Sequence, residues 1–374
     1  MEYQQHTELD TVVIGGGQSG LVMGFHLAQR GLRFVILDEN TRTGQSWRER
    51  WDSLRLFTPA KYDGLPGKPF PGDRLAFPSK DEMAAYLEGY AETLGLPVVL
   101  GTRVDKVQKV GEGFVVSAGE RSWQARNVVV ATGGSRISKR PDFAGGLDPS
   151  IRQLHSKDYR NPDQLQPGPV LVVGLGNSGA EIALEVSRTH ATAVAGKPGG
   201  ELPVRHGRAA ARFVLPVIRF LGLHVLTLGT PVGRKVAPRF RATATPLIRT
   251  RTKELRAAGV ELVSRVSGVV EGFPVLDDGT SMAVTNVVWC TGYHEDAYGV
   301  ELPVSAETGH QRGVVDAMPG LYVLGREFQF SAASATLPGV GKDASYLAEV
   351  MGARSGLSAA TFRGMRHIPA GHIE

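Results

Sequence analysis

An α/β fold built from two strand–turn–helix–strand units is what this chain of 374 residues predicts. Three observations carry the prediction. A Gly-x-Gly-x-x-Gly turn follows a β-branched apolar run near the N-terminus, the same arrangement returns past residue 170, and an acid closes the second apolar run of the first copy. The first unit opens with Thr11–Ile14, an apolar run suited to a strand buried on both faces. The turn Gly15-Gly-Gly-Gln-Ser-Gly20 follows, and a helical stretch over 21–30 stops at Gly31. Phe34–Leu37 is the next strand, closed by Asp38. The second unit repeats this with a strand at 170–173, the turn Gly174-Leu-Gly-Asn-Ser-Gly179, a helix over 180–187 and a strand over 191–195.

The rest of the chain fits around these units. Residues 41–81, rich in Pro and Gly, read as irregular. A helix is expected at 80–94 and strands at 98–100, 104–107, 114–117 and 127–130. Further strands are expected near 260–263, 269–270, 287–289 and 321–324, and a helix at 342–351. The expected division is 1–163 for the first part of the first unit, 164–289 for the second with a basic helical insertion near 200–256, and 290–354 for the return to the first. The tail, 355–374, has weak periodicity and is expected to be disordered.

Composition excludes several classes. The 47 glycines exceed the usual share of about 7% but show no Gly-X-Y period, so the chain is not collagen-like. One cysteine cannot make an internal disulfide, a CxxC redox pair or a Cys-rich metal site, and no metal is expected. Met1 to Asp10 is polar, without the apolar core of a signal peptide, and 213–230 is broken by Pro216, Arg219 and His224, so no spanning segment is expected. These features predict a cytoplasmic protein. Net charge is +5, but residues 205–256 hold twelve Lys/Arg against Glu254 alone. That stretch is +11 and the remainder −6. It could hold an anion or be a solvated helical face; no nucleic-acid motif accompanies it.

The turns carry the chemistry. In each, the first glycine permits a tight turn, the second admits a diphosphate to the backbone and the third lets helix and strand pack. The diphosphate then meets free N–H groups at a helix N-terminus. Gly15, Gly17, Gln18, Ser19 and Gly20 form the first such site, with Asp38 placed to accept hydrogen bonds from a ribose. Gly174, Gly176, Asn177, Ser178 and Gly179 form the second. No acid follows its second strand. Lys197 stands there instead, with Arg205 near, which favours the 2′-phosphate of NADPH over the 2′-hydroxyl of NADH. Two Rossmann-like domains imply two dinucleotides, FAD and NADPH in the usual pairing. Ala131-Thr132-Gly133 and Cys290-Thr291-Gly292 each end an apolar strand in a turn close to the nucleotides, as does Gly325; Cys290 reads as a small buried residue rather than a nucleophile.

With these motifs, Gly44-Gln-Ser-Trp47, the stretch Trp51-Asp-Ser-Leu-Arg-Leu-Phe-Thr-Pro59 and Pro338-Gly-Val-Gly-Lys-Asp-Ala344, the chain resembles the class B flavoprotein monooxygenases of the flavin-containing monooxygenase and YUCCA-like branch, over roughly 9–350. The resemblance implies that Gln45, Trp47 and Val104 also touch FAD, and that Thr58, Arg326 and Lys342 line the catalytic end. His155-x-x-x-Tyr159 keeps part of the family fingerprint, but the Phe and Gly before it are missing, and the Trp-Pro of Baeyer–Villiger relatives is absent. Thr58 stands where amine- and sulfide-oxidising relatives place an asparagine, which the YUCCA-like branch also lacks. The implied reaction is hydride transfer from NADPH to FAD, then addition of O2 and oxygenation of a small organic substrate such as an amine, a sulfide, an indole or a 2-oxo acid. Two other readings stand beside it: an NADPH–flavin oxidoreductase or oxidase without oxygen transfer, and a dinucleotide-loaded sensor or peripheral membrane adaptor using the basic stretch. A homodimer is compatible with all three.

Overall fold

The computed structural model describes residues 9–134, 137–242, 245–294, 300–304 and 308–354. The tail expected at 355–374 lies outside them. The strands in chain order are β1 (Leu9–Ile14), β2 (Phe34–Leu37), β3 (Val98–Val99), β4 (Lys106–Val110), β5 (Gly113–Ala118), β6 (Arg121–Val130), β7 (Arg152–His155), β8 (Val170–Val173), β9 (Thr192–Ala195), β10 (Glu261–Val263), β11 (Val266–Val270), β12 (Phe273–Leu276), β13 (Asn286–Trp289) and β14 (Leu321–Val323). The helices are α1 (Gln18–Ala28), α2 (Gln45–Arg48), α3 (Lys80–Thr93), α4 (Asn177–Val186), α5 (Arg208–Phe213), α6 (Leu215–Phe220), α7 (Pro231–Ala242), α8 (Thr252–Ala257) and α9 (Leu337–Arg354).

The first sheet runs β3-β2-β1-β6-β5-β4. β6 joins two styles of pairing. Its first half is antiparallel to β5, while its second half lies parallel between β1 and β14. Apolar runs such as Val12–Ile14 and Val128–Val130 are buried because helices cover one face and the β4–β6 meander packs over the other. Leu21, Val22 and Leu27 of α1 pack against Val340, Leu347 and Met351 of α9, so the chain's return after residue 320 closes the first unit. α3 is fixed at its start by a reciprocal cap: Ser79 Oγ accepts from the Glu82 N–H, and Glu82 accepts from the Ser79 N–H.

The second sheet, β10-β9-β8-β13-β7, is wholly parallel. Its edge strand β7 was not expected as a strand. It precedes the division expected at 163 and pairs with β13, Trp289 opposite His155. β4 begins at Lys106 rather than at 104, which leaves Val104 just ahead of it. α1 and α4 start inside their glycine turns, three residues earlier than apolar periodicity indicates, because a helix's first turn does not need an apolar stripe.

The basic insertion is helical and clamps the irregular segment 54–78. His206 Nε2 donates to the Phe57 carbonyl at 2.8 Å, Arg249 donates to the Arg55 carbonyl at 2.7 Å, and Arg208 pairs with Asp73. Residues 226–228 also lie along 330–332: the Leu228 N–H donates to Phe330 O at 2.8 Å, and the Ala332 N–H to Leu226 O at 2.9 Å.

Candidate functional site

Both glycine turns open on one cavity of about 1100 Å³. Their backbones are near copies. Gly15 has φ +106° and Gly174 φ +108°, conformations that L-residues rarely adopt. A Cβ on Gly20 would stand 1.8 Å from the Gly15 carbonyl oxygen, and one on Gly179 would stand 1.9 Å from that of Gly174. The third glycine of each turn is therefore a packing requirement between helix and turn. The second is different. A Cβ on Gly17 or Gly176 would meet nothing within 4 Å, because each faces the cavity. Gly17 and Gly176 cap α1 and α4 without any side-chain acceptor on the first-turn N–H groups. Each turn is thus an open, electropositive cradle at a helix N-terminus, and both fit a dinucleotide diphosphate.

Asp38 closes β2 at the wall of the first cradle. Its Oδ2 accepts from the Gly16 N–H at 2.5 Å, and its Oδ1 accepts from the Asn40 N–H and side chain at 2.8 Å each. The aspartate shapes the turn as well as presenting a carboxylate to the cavity. Thr132 Oγ1, buried nearby, has no hydrogen-bond partner among the described residues, a polar atom left for a bound group. Trp47, Val104, Ala131 and Gly133 line the same side, with Gly325 and Arg326 at the return.

At the second cradle, Asn177 is occupied by the protein itself. Its Nδ2 donates to Thr245 Oγ1 and Pro246 O, and its Oδ1 accepts from the Ile248 N–H at 2.9 Å. It ties the end of the insertion to the turn, beside Ser178. Lys197 lines the cavity two residues past β9. The register that pairs Val263 with Ala195 brings Arg265 to the corresponding position past β10, and Arg265 also lines the cavity. Sequence reasoning missed Arg265. Its signal was available: a cation two residues past the next parallel strand, at the carboxyl edge where such sheets bind ligands.

Several contacts join the two units at the cavity. Cys290, Thr291 and Gly292 continue from β13 along the cavity wall. Burial pushes the Cys290 thiol up to about 12, so it stays protonated at neutral pH and is no nucleophile. His155 is fully buried. Its Nδ1 accepts from the Lys157 N–H at 3.1 Å, so Nε2 carries the proton and donates to Gly292 O at 3.1 Å. Burial holds its pKa below the ordinary value, in keeping with a neutral ring that pins the Gly292 turn. Arg50 donates to the Tyr293 hydroxyl at 2.9 Å and both line the cavity, a link from 41–81 to the far unit that no local pattern announces. Arg241, from the insertion, lines it too.

Several expected site residues stand elsewhere. Gly20 is occupied in packing and does not line the cavity. Gln45 points along its own helix, 3.2 Å from Glu49, while Trp47 reaches the wall. Arg205 is exposed and outside the lining, since the chain turns toward 54–78 at His206. Thr58 donates to the buried Asp63, away from the cavity wall. Lys342 lies on the exposed side of α9, 3.4 Å from His224 of the insertion. Of the three residues expected at the catalytic end, only Arg326 lines the cavity. No group of three or more His, Cys, Asp and Glu among the described residues could hold a metal ion.

Known proteins agree with this architecture. The signature of the family described as pyridine nucleotide-disulphide oxidoreductase matches residues 12–206. The CzcO-like oxidoreductase of Geobacillus kaustophilus is 36% identical over 91% of this chain and 97% of its own length. Indole-3-pyruvate monooxygenase YUCCA1 of Oryza sativa is 36% identical over 47% of this chain and 45% of its own. Among solved structures, a mutant form of the flavin monooxygenase of Stenotrophomonas maltophilia superposes with a TM-score of 0.74 at 30% identity, over 93% of this chain and 99% of that one. With one cysteine, this chain has no dithiol pair of the kind the family's name refers to. The chain belongs to the pyridine nucleotide-disulphide oxidoreductase family, within its flavin monooxygenase branch.

Proposed function

We infer that the chain is an NADPH-dependent flavin monooxygenase acting on a small organic substrate. The observation that carries this is the opening of both glycine turns onto one cavity. Nucleotides held on α1 and α4 extend into the same space, where a nicotinamide can meet a flavin. FAD fits the first cradle, with Gly17, the α1 N-terminus and Asp38 as its supports. NADPH fits the second, with Gly176, the α4 N-terminus and the cations Lys197 and Arg265 toward a 2′-phosphate. When bound, the flavin supplies hydride acceptance and dioxygen activation.

The chain's own contribution is placement and shelter. The two cradles fix the diphosphates, and His155 holds the Gly292 turn at the junction. Arg50 and Tyr293 tie the units across the cavity, and Arg326 supplies a cation at the return side. A sheltered site strengthens each of these interactions and limits water at the reacting atoms. The substrate is an amine, a sulfide, an indole or a 2-oxo acid, the last two supported by the YUCCA relative, which matches 47% of this chain. We place the protein in the cytoplasm, since a lone thiol and an NADPH requirement suit a reducing compartment. A screen of NADPH consumption under 18O2, with product mass measured, tests the reading. One labelled oxygen in the product is expected. Peroxide released in step with NADPH consumption, with no labelled product for any substrate class, would replace it with an oxidase.

A further inference from the structure

The helical insertion turns an apolar stripe to solvent. Val214 has right-handed helical angles, so α5 and α6 run on almost continuously into the wider turn 221–225. Along this rod Ala211, Leu215 and Leu223 face the protein and are buried. Phe213, Val217, Phe220 and Leu221, spaced i, i+4, i+7 and i+8, form the opposite face, with Phe213 68% and Phe220 57% exposed. On α7, Val232 is 53% exposed while Gly233 and Ala237 are packed inward. Soluble helices normally show the reverse, apolar in and polar out.

Cations border this stripe. Arg212 and Arg219 flank it on the rod, and Arg234 and Lys235 follow Val232 on α7. Among the described residues, none of these four meets a carboxylate, unlike Arg208, Arg249 and Arg251, which are paired with Asp73, Glu181 and Glu254. Arg212 and Arg219 lie over the rings of Phe213 and Tyr62 instead. An exposed apolar stripe edged by cations that lack a carboxylate is complementary to a surface that is apolar inside and negative at its rim. We propose that residues 208–235 dock the protein on the face of an anionic lipid bilayer, with Phe213, Val217 and Phe220 entering the headgroup boundary and Arg212, Arg219, Arg234 and Lys235 meeting lipid phosphates. This is a peripheral contact; no helix among the described residues is long and apolar enough to cross a membrane. The proposal stands independently of the chemistry in the cavity.

Vesicle co-sedimentation of the holoenzyme tests it. Phosphatidylglycerol–phosphatidylethanolamine vesicles are compared with pure phosphatidylcholine at low and high salt. Binding to the anionic vesicles alone, weakened by salt, is expected. Phe213→Ser with Phe220→Ser, and separately Arg234→Glu with Lys235→Glu, should each lower the bound fraction by about tenfold at an unchanged unfolding midpoint and unchanged NADPH oxidation. Hydrogen exchange of the unaltered protein gives a second reading: vesicles should protect 208–242 and leave the sheets alone. No anionic binding by the unaltered protein, variants that bind as it does, or protection elsewhere would overturn the proposal. So would a dimer in sedimentation velocity that Phe213→Ser with Phe220→Ser dissociates, because the stripe would then belong to a second copy of this chain.

Discussion

The two glycine turns share a backbone and differ in what stands beside it. Gly15 and Gly174 agree within 2° in φ, and Gly20 and Gly179 press equally close on their first glycines. The strand that follows ends in Asp38 in one unit and leads to Lys197 in the other. Inside the first turn an aspartate orders the loop; at the second, Asn177 fastens a piece of the insertion. In the proposed assignment, the common part cradles a diphosphate and the unlike part chooses which nucleotide enters. A backbone solution can thus be used twice in one chain while charge at a strand end separates the two uses.

The largest expected effect tests the shared part. Gly20→Ala and Gly179→Ala each force a methyl into a carbonyl oxygen, so each should cost about 3 kcal/mol or more, read as a lowered denaturation midpoint. Gly17→Ala and Gly176→Ala meet no protein atom and should leave the midpoint of the cofactor-free protein alone. Gly17→Ala should weaken flavin retention by about tenfold, and Gly176→Ala should raise KM for NADPH by a similar factor with flavin content intact. Equal effects of both variants on both ligands would break the assignment of one nucleotide to each turn.

The next effect separates the helices behind the turns by pH. His26, near the end of α1, is lowered from 6.5 to about 4, chiefly by burial and secondly by Arg30. Its folded pKa lies below its unfolded value, so protonation favours the unfolded chain. Stability tied to the neutral ring is present above pH 6.5 and is lost as pH falls toward 4, about 3 kcal/mol in full. His26→Gln should flatten this acid limb and change little at pH ~8, as measured by denaturant titration across pH. α4 carries no histidine, so a limb that persists in the variant would have to come from elsewhere.

Lys197 and Arg265 sharpen the unlike part. Replacing both with Ala should raise KM for NADPH by about thirtyfold, the equivalent of ~2 kcal/mol of charge-assisted hydrogen bonding, while leaving KM for NADH nearly unchanged. Equal loss for both cofactors would show that the pair does not read the 2′-phosphate. The smallest effect concerns Cys290. With its thiol pushed to about 12, Cys290→Ala should keep NADPH oxidation within about twofold of the unaltered protein.

What the sequence showed and hid divides along the same line. The cradles were legible because glycine is demanded locally, by positive φ and close approach, and such demands leave marks at fixed spacing. Asp38 and Lys197 were legible because they stand at strand ends. Arg265, Arg241 and the Arg50–Tyr293 link were not, since parallel register and unit packing bring them to the cavity from distant positions. Thr58 and Lys342 do not line the cavity. The family resemblance put them at the flavin end, whereas here Asp63 and His224 engage them. β7 escaped notice because Arg152–His155 is polar, with an edge position that needs no apolar run.

The central claim is that two nucleotides meet in one cavity. Anaerobic rapid mixing of the FAD-loaded protein with NADPH tests it most directly, through the absorbance of the oxidised flavin. Prompt bleaching is expected, slowed by Gly176→Ala and unaffected by Cys290→Ala. Flavin that stays oxidised while NADPH is demonstrably bound would contradict it.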